Sequence, residues 1–570
     1  MHDIVIRGGT VVDGTGAEPF EADVAIDGEV ITVVGTVPDG GRREIDATGL
    51  LVLPGWVDVH THYDGQATWD AELAPSSWHG VTTAIFGNCS VGFAPVAPGT
   101  EGFLINLMEG VEDIPGSVLA EGIDFTWETF PEYLDVLASK PRAIDIGAQV
   151  PHAALRFYVM GERGADHTER PTPDEIAEMG RLTVEGIEAG AFGFTTSRTK
   201  VHRAADGRST PSLTASADEL VGIAEAMGAA DVGVLQGISD FTTPEELALF
   251  RRLAEVSGRP LSFSLAQVDH DPDYWRFVLD ELARANADGV QMKAQVGARP
   301  IGVLFGLEGS VDPLRVFPAY ADYADLPIDQ RVAELRRPEV RERILADPPE
   351  PGLAGFLERA LGRTFELSDP PDYEPPAEQS IGARAERSGV SPWEVVYDLL
   401  LADDGHAMLY HPFQNYSTGD LEPARQMLTH PNTIPGLSDG GAHVGTICDA
   451  SFPTYLLTHW ARDRDRGPRI DLAEIVHRQT AATAEAVGLQ DRGVVAPGYR
   501  ADLNVIDLDA LKISPPRIIR DLPTGGKRLV QRADGYRHTL VAGTETMTDG
   551  TWTGATPGRL VRGPQPAPTP

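Results

Sequence analysis

The chain contains few cysteines, few lysines and no long apolar run. Only Cys89 and Cys448 are cysteines among 570 residues, which excludes a disulfide framework. No stretch of 18 apolar residues occurs, so no membrane span is predicted. The segment from Met1 to Arg7 carries charges where a signal peptide needs an apolar core. We therefore expect a cytoplasmic protein.

Basic residues are also scarce relative to acidic ones. The chain has 47 Lys and Arg residues against 85 Asp and Glu residues, which gives a net charge of −38 at pH 7. Nucleic acids and anionic membranes are bound through clustered basic side chains, so neither partner is predicted. The expected partner is a small-molecule substrate, and a homo-oligomer is left open. Since only five residues are lysines, Lys200 and Lys293 beside strand-like runs are of interest.

Short β-rich runs occupy both ends of the chain, and α/β alternation lies between them. An Asp27-Gly28 turn joins two strand-like halves near the N-terminus, and β-like runs return after residue 488. In between, apolar runs alternate with helix-like stretches, as in βα units around a parallel sheet. The predicted strands of this part are Leu51–His60, Val81–Phe86, Ala143–Val150, Phe192–Thr196, Val232–Ile238, Leu261–Ala266, Val290–Val296 and Thr433–Ser438. Eight strands are the number that closes a barrel.

The pattern predicts an α/β fold, a distorted TIM (β/α)8 barrel with a small β-sandwich domain formed from both chain termini. The predicted sandwich comprises residues 1–54 and 489–558, and the barrel comprises residues 55–488. A long insertion at about 305–430 lies between the seventh and eighth strands, and its length favours a lid over an oligomer contact. The Pro-rich residues 559–570 are predicted to be a disordered tail.

Two histidines end the first predicted barrel strand. The segment Leu53-Pro-Gly-Trp-Val-Asp-Val-His-Thr-His-Tyr63 places His60 and His62 at positions i and i+2. In a strand these positions share one face, so both imidazoles can bind one metal ion at the C-terminal end of the strand. Barrel enzymes carry their active sites at that end.

Longer motifs surround this pair. The segments Asp3–Asp13, Ile45–His62 and Arg492–Ile506 resemble the signature of the amidohydrolase superfamily. The segments Gly87–Pro95, Leu107–Pro115 and His152–Gly161 are similar to those of the D-aminoacylase (N-acyl-D-amino-acid deacylase) family. The chain is therefore identified as a divergent member of that family, and the resemblance covers nearly its whole length.

The resemblance implies a set of metal ligands and a general base. The implied ligands are His60, His62, Cys89 after the second strand, and Asp439 in Leu437-Ser-Asp-Gly-Gly-Ala-His443 after the eighth. Thiolate, imidazole and carboxylate together suit Zn²⁺. Asp439 would also be the general base. The alternatives are an inert buried Cys89 and an Asp439 that only serves the turn.

The chain departs from the family at two further ligand positions. Gln236 stands where family members have a His at the end of the fifth strand, and Leu265 or its neighbours stand at the corresponding place in the sixth. His270 is a less favoured, shifted alternative. We therefore expect one Zn²⁺ per chain instead of two.

The substrate-binding residues of the family also look altered. Lys200 stands where a Tyr is expected after the fourth strand, and Gln291, Lys293, Gln295 and Arg299 alternate along the seventh strand and beyond, which predicts one shared face. The candidate substrate-binding residues are Lys200, Gln236, Lys293, Gln295, Arg299 and His443. Lys200, Lys293 and Arg299 would form a replacement anionic-substrate pocket.

The leading functional hypothesis is metal-dependent hydrolysis of a C–N amide bond. The resemblance implies an N-acyl-amino-acid-like substrate and attack by a metal-activated water, with Asp439 as the base. A cyclic amide or another hydrolysable group is the alternative substrate. A metal-poor binding protein or a non-hydrolytic enzyme on the same fold is the alternative from another class.

Overall fold

The computed structural model describes residues 1–569, and its regular elements alternate as predicted for an α/β protein. The strands are β1 His2–Val11, β2 Phe20–Asp27, β3 Val30–Gly35, β4 Gly41–Asp46, β5 Leu51–Pro54, β6 Trp56–Asp58, β7 Val81–Phe86, β8 Asp145–Ala148, β9 Val150–Pro151, β10 Gly193–Arg198, β11 Val234–Ser239, β12 Leu261–Leu265, β13 Met292–Val296, β14 Ile301–Phe305, β15 Phe365–Glu366, β16 Leu409–Gln414, β17 Thr433–Pro435, β18 Leu503–Ile506, β19 Lys512–Ile513, β20 Arg517–Leu522, β21 Gly526–Val530, β22 Ala533–Asp534, β23 Tyr536–Val541, β24 Thr544–Thr548 and β25 Thr551–Trp552. The α-helices are α1 Glu101–Glu112, α2 Gly116–Gly122, α3 Phe130–Ser139, α4 His152–Met160, α5 Pro173–Glu188, α6 Ala217–Ala230, α7 Pro244–Ser257, α8 Tyr274–Ala287, α9 Ile328–Leu335, α10 Pro338–Ala346, α11 Leu353–Leu361, α12 Ile381–Ser388, α13 Pro392–Leu400, α14 Glu422–Leu428, α15 Phe452–Tyr455, α16 Leu472–Gln479 and α17 Ala481–Ala486.

Local sequence chemistry explains where several helices begin. Helix α5 begins with a capping box, in which the Thr172 hydroxyl accepts from the backbone N–H of Glu175 while the Glu175 carboxylate accepts from that of Thr172. Helix α7 begins at Pro244, whose fixed φ suits the first helical position. Pro338 begins α10 and separates it from α9, because proline disfavours the helical conformation in the residue before it.

Parallel strands form the framework of the central region. The parallel pairs β6–β7 and β7–β8 form one sheet, and the order β9–β10–β11–β12–β13–β17 forms a second. Only Gln149 separates β8 from β9. Beyond β6 and β17, a parallel bridge joins Thr61 to Gly440. The C-terminal ends of the first and last parallel strands are thereby connected.

A mixed sheet unites the two ends of the chain. Its order is β25–β24–β23–β18–β5–β1–β2–β3, with β4 also paired to β1. The central pairing is antiparallel between β5 and β18, where Val52 lies opposite Val505. Both valines are fully buried in an apolar cluster of their own. This cluster holds the N-terminal and C-terminal strands together through burial of apolar surface.

The structure differs from the prediction of a disordered tail at residues 559–570 in the part that it describes, residues 559–569; Pro570 lies outside the described residues. Leu560 and Val561 are buried, and the Val561 N–H donates to the Ile146 carbonyl at 2.8 Å, beside β8. Further along, the Gln565 N–H donates to the Gly488 carbonyl at 2.9 Å. Two apolar side chains and these backbone hydrogen bonds order the segment, although its composition is rich in proline.

The long insertion between β13 and β17 has a core of its own. Its β14, β16 and β15 form a small antiparallel sheet, and helices from α9 to α13 pack around a separate cluster that includes Tyr320, Leu335 and Tyr397.

Within residues 1–569, no helix combines the length and the apolar character that crossing a membrane requires.

Candidate metal centre

Four of the predicted site residues meet at the C-terminal ends of three parallel strands. His60 and His62 follow β6, Cys89 lies in a short turn after β7, and Asp439 follows β17. The ligand atoms of the two histidines and Cys89 all lie within 4.8 Å of one another. Oδ1 of Asp439 lies 3.4 Å from Nε2 of His60 and 3.6 Å from Nε2 of His62. The four side chains can therefore bind a single cation.

The backbone at these residues is constrained. Cys89 has a φ of 55° and Asp439 a φ of 49°, both in the left-handed region that non-glycine residues rarely adopt. The Asp439 N–H donates to the His60 carbonyl at 3.2 Å, and the His62 N–H donates to the Gly440 carbonyl at 2.8 Å. These two bonds hold the segment after β17 against the histidine pair, which offsets the backbone strain.

Asn88 fixes the turn that carries Cys89. Its amide nitrogen lies between the carbonyls of Val59, Thr61 and Ile85, at 3.1 to 3.4 Å. Its own side-chain carbonyl accepts from the amide of Gln149 at 3.1 Å. One buried side chain thus connects the ends of three neighbouring strands beside the candidate ligands.

Gln295 orients His60. The Nδ1 atom of His60 lies 2.7 Å from Oε1 of Gln295, whose Nε2 donates to the hydroxyl of Ser262 at 2.9 Å. An amide oxygen only accepts, so Nδ1 carries the proton and Nε2 keeps its lone pair on the side of Asp439 and Cys89. Gln295 was predicted to bind substrate; in the structure both ends of its amide are instead bonded to protein groups.

Glu112 is a buried residue near the site to which the sequence analysis assigned no role. Its Oε1 lies 3.3 Å from Nδ1 of His62, and its Oε2 lies 3.7 Å from Nε2 of His443. It ends α1 on the same buried face as Leu104 and Met108. A glutamate on the apolar face of a predicted helix was the signal available in the sequence.

The electrostatics of the cluster favour a cation. Burial raises the pKa of the Cys89 thiol to about 12, so the thiolate needs a positive charge beside it. Burial lowers the pKa of His60 to about 4, which keeps it neutral and able to bind a metal. Burial acts to raise the pKa of Asp439, but the neighbouring imidazoles of His62 and His60 hold it well below its usual range.

An atom of the cluster that lacks a hydrogen-bond partner also favours a metal ion. Oδ1 of Asp439 is buried and has no hydrogen-bond partner among the described residues. Two imidazoles, one thiolate and one carboxylate are ligands that Zn²⁺ takes in proteins. The residues present therefore fit a single zinc ion.

The fifth and sixth parallel strands contribute no comparable donor. Gln236 on β11 is buried and its Oε1 has no hydrogen-bond partner among the described residues, whereas Leu265 ends β12 as a buried apolar side chain. His270, the shifted alternative, is exposed in a turn after β12.

The observed positions of Lys200 and Lys293 differ from those predicted for an anionic-substrate pocket. Lys200 is exposed after β10, and only its backbone N–H bonds to Asp240. Lys293 precedes Gln295 by two residues on β13, which places it about 6–7 Å farther from the C-terminal edge of the strand. Gln291 lies outside β13 and is exposed.

Arg299 is bound within the protein instead of facing a substrate. It is fully buried; its Nη1 lies 3.1 Å from Oδ1 of Asp449, and its Nη2 donates to the Cys448 carbonyl at 2.7 Å. The guanidinium carbon lies 3.6 Å from the centre of the Tyr373 ring. The alternation with Lys293 and Gln295 does not extend to this residue, because β13 ends at Val296.

His202 is a further histidine near the site, and no role was predicted for it from the sequence. It lies in the loop after β10, and its Nδ1 is 3.1 Å from the hydroxyl of Ser197. Burial, together with the nearby imidazoles of His443 and His62, lowers its pKa to about 3. A histidine a few residues beyond the fourth strand was the available signal.

Comparison with known protein families gives an extended match. A family model described as "Amidohydrolase family" matches residues 43–547. An uncharacterized protein of Mycobacterium tuberculosis (strain H37Rv) is 29% identical over 89% of this chain and 84% of its own length. The D-aminoacylase of Alcaligenes xylosoxydans xylosoxydans is 26% identical over 98% of this chain and 97% of its own.

Solved structures are similar in fold. A D-aminoacylase structure, described for one-metal activation and second-metal attenuation of its binuclear centre, has a TM-score of 0.65 at 23% identity and covers 99% of this chain and 100% of its own. The N-acyl-D-glutamate deacylase of Bordetella bronchiseptica, complexed with zinc and a phosphonate inhibitor, has a TM-score of 0.64 at 22% identity, with 98% and 99% covered.

Proposed function

The chain belongs to the amidohydrolase family, and from that premise we propose that its substrate is an N-acyl-amino-acid-like amide. It is a metal-dependent hydrolase of carbon–nitrogen bonds other than peptide bonds, as its similarity to D-aminoacylase and the related deacylases had indicated. The observation that carries the proposal is the convergence of His60, His62, Cys89 and Asp439 at one edge of the parallel strands.

These four residues would hold one Zn²⁺. A bound zinc ion supplies Lewis-acid chemistry, because it lowers the pKa of water and polarises a carbonyl group. Support for a single ion comes from the D-aminoacylase described for one-metal activation, and support for zinc comes from the zinc complex of the N-acyl-D-glutamate deacylase. Gln236 and Leu265, at the positions of the missing histidines, agree with one ion.

Asp439 is the proposed general base. Its carboxyl group is ionised at neutral pH, so one oxygen can accept a proton from the attacking water and deliver it to the leaving nitrogen. His443 lies four residues farther on and is one-fifth exposed, so its imidazole can contact a bound substrate. The free Oε1 of Gln236 can accept from an amide N–H of the substrate.

The finer architecture is part of the proposal. We infer that the parallel strands form a distorted (β/α)8 barrel. They number eight when β8 and β9, which only Gln149 separates, count as one strand, and the Thr61–Gly440 bridge joins β6 to β17. The insertion at about 305–430 would act as the lid over the C-terminal ends of these strands.

The proposal is tested by substrate turnover and metal analysis together. Protein expressed with zinc should contain about one zinc ion per chain and hydrolyse N-acyl-D-amino acids. Asp439→Asn should lower kcat by at least about 100-fold. Asp420→Asn is the matched control, because Asp420 caps the Glu422 N–H on a loop and an amide oxygen can replace it. Clearly substoichiometric zinc would contradict the mechanism, and full activity of Asp439→Asn would contradict the base.

A cyclic amide is the second candidate substrate. The observation that favours it is the pairing of Arg299 with Asp449, together with the exposed position of Lys200, because both residues were expected to bind a substrate carboxylate. A lactam or hydantoin ring needs no such cationic group. Parallel assays on N-acyl-D-amino acids, lactams and hydantoins separate the two candidates, and turnover of the acyclic substrates alone would remove the second.

A further inference from the structure

Glu112 occupies an unusual position for a carboxylate. It is 1% exposed, and neither of its carboxylate oxygens has a hydrogen-bond partner among the described residues. Imidazoles on two different segments face it, with Nδ1 of His62 at 3.3 Å and Nε2 of His443 at 3.7 Å. An unsatisfied carboxylate in the interior costs stability, so its position calls for a function.

The backbone around Glu112 is fixed to the segment that follows β17. The Glu112 carbonyl accepts from the N–H of His443. The next residue, Asp113, ends α1 with a φ of 54°, and its carboxylate accepts from the Gly445 N–H at 3.0 Å and from the Ser310 hydroxyl at 3.2 Å. The end of α1 is thus attached to the Asp439–Gly445 segment, which leaves the Glu112 side chain little freedom to turn away.

We propose that Glu112 is a positioning residue that fixes the His62 ring for metal binding and couples it to His443. The inference rests on the proposed function, because it requires His62 to be a metal ligand. A carboxylate oxygen 3.3 Å from Nδ1 favours a proton on that nitrogen, which leaves the Nε2 lone pair facing Asp439. It also makes the imidazole a stronger ligand than a neutral acceptor would.

The two histidines are therefore supported differently. The Nδ1 of His60 faces the neutral amide of Gln295 at 2.7 Å, whereas the Nδ1 of His62 faces a carboxylate. Through His443, the same carboxylate also reaches the loop that carries the proposed base. Removing its charge should consequently weaken metal binding and disturb the substrate-facing loop at once.

The test compares Glu112→Gln with the parent protein and with Glu109→Gln. Glu109 lies one turn earlier on α1, where its carboxylate accepts from the Gly116 N–H at 2.8 Å, a bond that an amide oxygen can keep. Zinc affinity is measured by competition with a chromophoric chelator, and the thermal midpoint is measured on the metal-free proteins. We expect Glu112→Gln to lose about 10–100-fold in zinc affinity. Its metal-free midpoint should equal or exceed that of the parent, because a costly buried carboxylate is gone.

Four other results of this experiment would overturn the inference or the proposed function on which it rests. Zinc affinity within about twofold of the parent would overturn the inference while leaving the proposed function intact. A Glu112→Gln protein that fails to fold, or that melts well below the parent without metal, would show a structural role and overturn it as well. A parent protein that binds no zinc would overturn the proposed function itself, and with it the premise of the inference. An equal loss of affinity in Glu109→Gln would also refute the specific role.

Discussion

Replacement of Arg299 by methionine provides a sharp test of how the interior beside the site is built. The sequence suggested a substrate-binding arginine, whereas the structure pairs it with Asp449 and stacks it on Tyr373. Arg299→Met keeps an unbranched side chain but leaves Asp449 without its counter-charge. Breaking a buried ion pair from one side costs roughly 3–5 kcal/mol. Arg299→Met should therefore destabilise the protein strongly.

The pH dependence of this loss follows from Asp449. Burial already raises the pKa of Asp449 to about 7, and Arg299 opposes that shift. Without Arg299 the folded-state pKa rises further above the unfolded value of about 3.9. The folded state then binds the proton of Asp449 more tightly than the unfolded chain does. The contribution of Asp449 to the free energy of unfolding is therefore largest below about pH 4 and falls by up to about 1.4 kcal/mol per pH unit as pH rises. The variant should melt lowest at the alkaline end.

The assay is a set of thermal midpoints between about pH 6 and pH 8, with two further variants. Adding Asp449→Leu to Arg299→Met removes both charges, and most of the lost stability should return. Arg532→Met is the matched control, because Arg532 also stacks on an aromatic ring, that of Trp78, but is exposed. A variant Arg299→Met as stable as the parent, with only a raised KM, would refute the structural role and restore the substrate-binding hypothesis.

Three further predictions address the metal centre and its supports. Gln295→Leu should lower zinc affinity about 10–100-fold in a chelator competition, because the Nδ1–H of His60 loses its acceptor; an altered KM with unchanged affinity would contradict this. Gly440→Ala should lower both the midpoint and kcat, since an added Cβ would overlap the Ser76 hydroxyl, whereas Gly102→Ala, on an open helix face, should be harmless. Removal of zinc by a chelator should lower the thermal midpoint, and zinc at 100 times its Kd should raise the free energy of unfolding again by about 2.7 kcal/mol. A midpoint that does not change with zinc would exclude binding to the folded state.

The sequence was most informative where neighbouring residues act together. The His60 and His62 pair needs only the alternation of a strand, and β7 spans the residues that its apolar run predicted. The α/β class and the family resemblance are confirmed on the same grounds, because both depend on local patterns repeated along the chain.

The sequence was least informative where a side chain meets a distant segment. Gln295 lies 235 residues from His60, and the alternation that predicted its face could not identify its partner. Arg299 meets Cys448 and Asp449 about 150 residues later, beyond the end of β13, where strand periodicity no longer applies. The burial of Leu560 and Val561 could not be predicted from a Pro-rich composition, because two apolar residues suffice to order a segment only when a strand edge lies beside them.

The distribution of the candidate ligands explains how the chain can differ from its relatives and still hold a metal ion. His60, His62, Cys89 and Asp439 come from β6, β7 and β17, which the Thr61–Gly440 bridge makes neighbours. The altered positions lie on β11 and β12, in the middle of the six-stranded parallel sheet that β17 ends, and β13 separates them from β17. Changes there leave the four ligands and their hydrogen bonds in place. Differences in substrate should therefore follow the residues on and after β10 to β12, whereas metal binding should depend on β6, β7 and β17 and on Gln295 of β13, which orients His60.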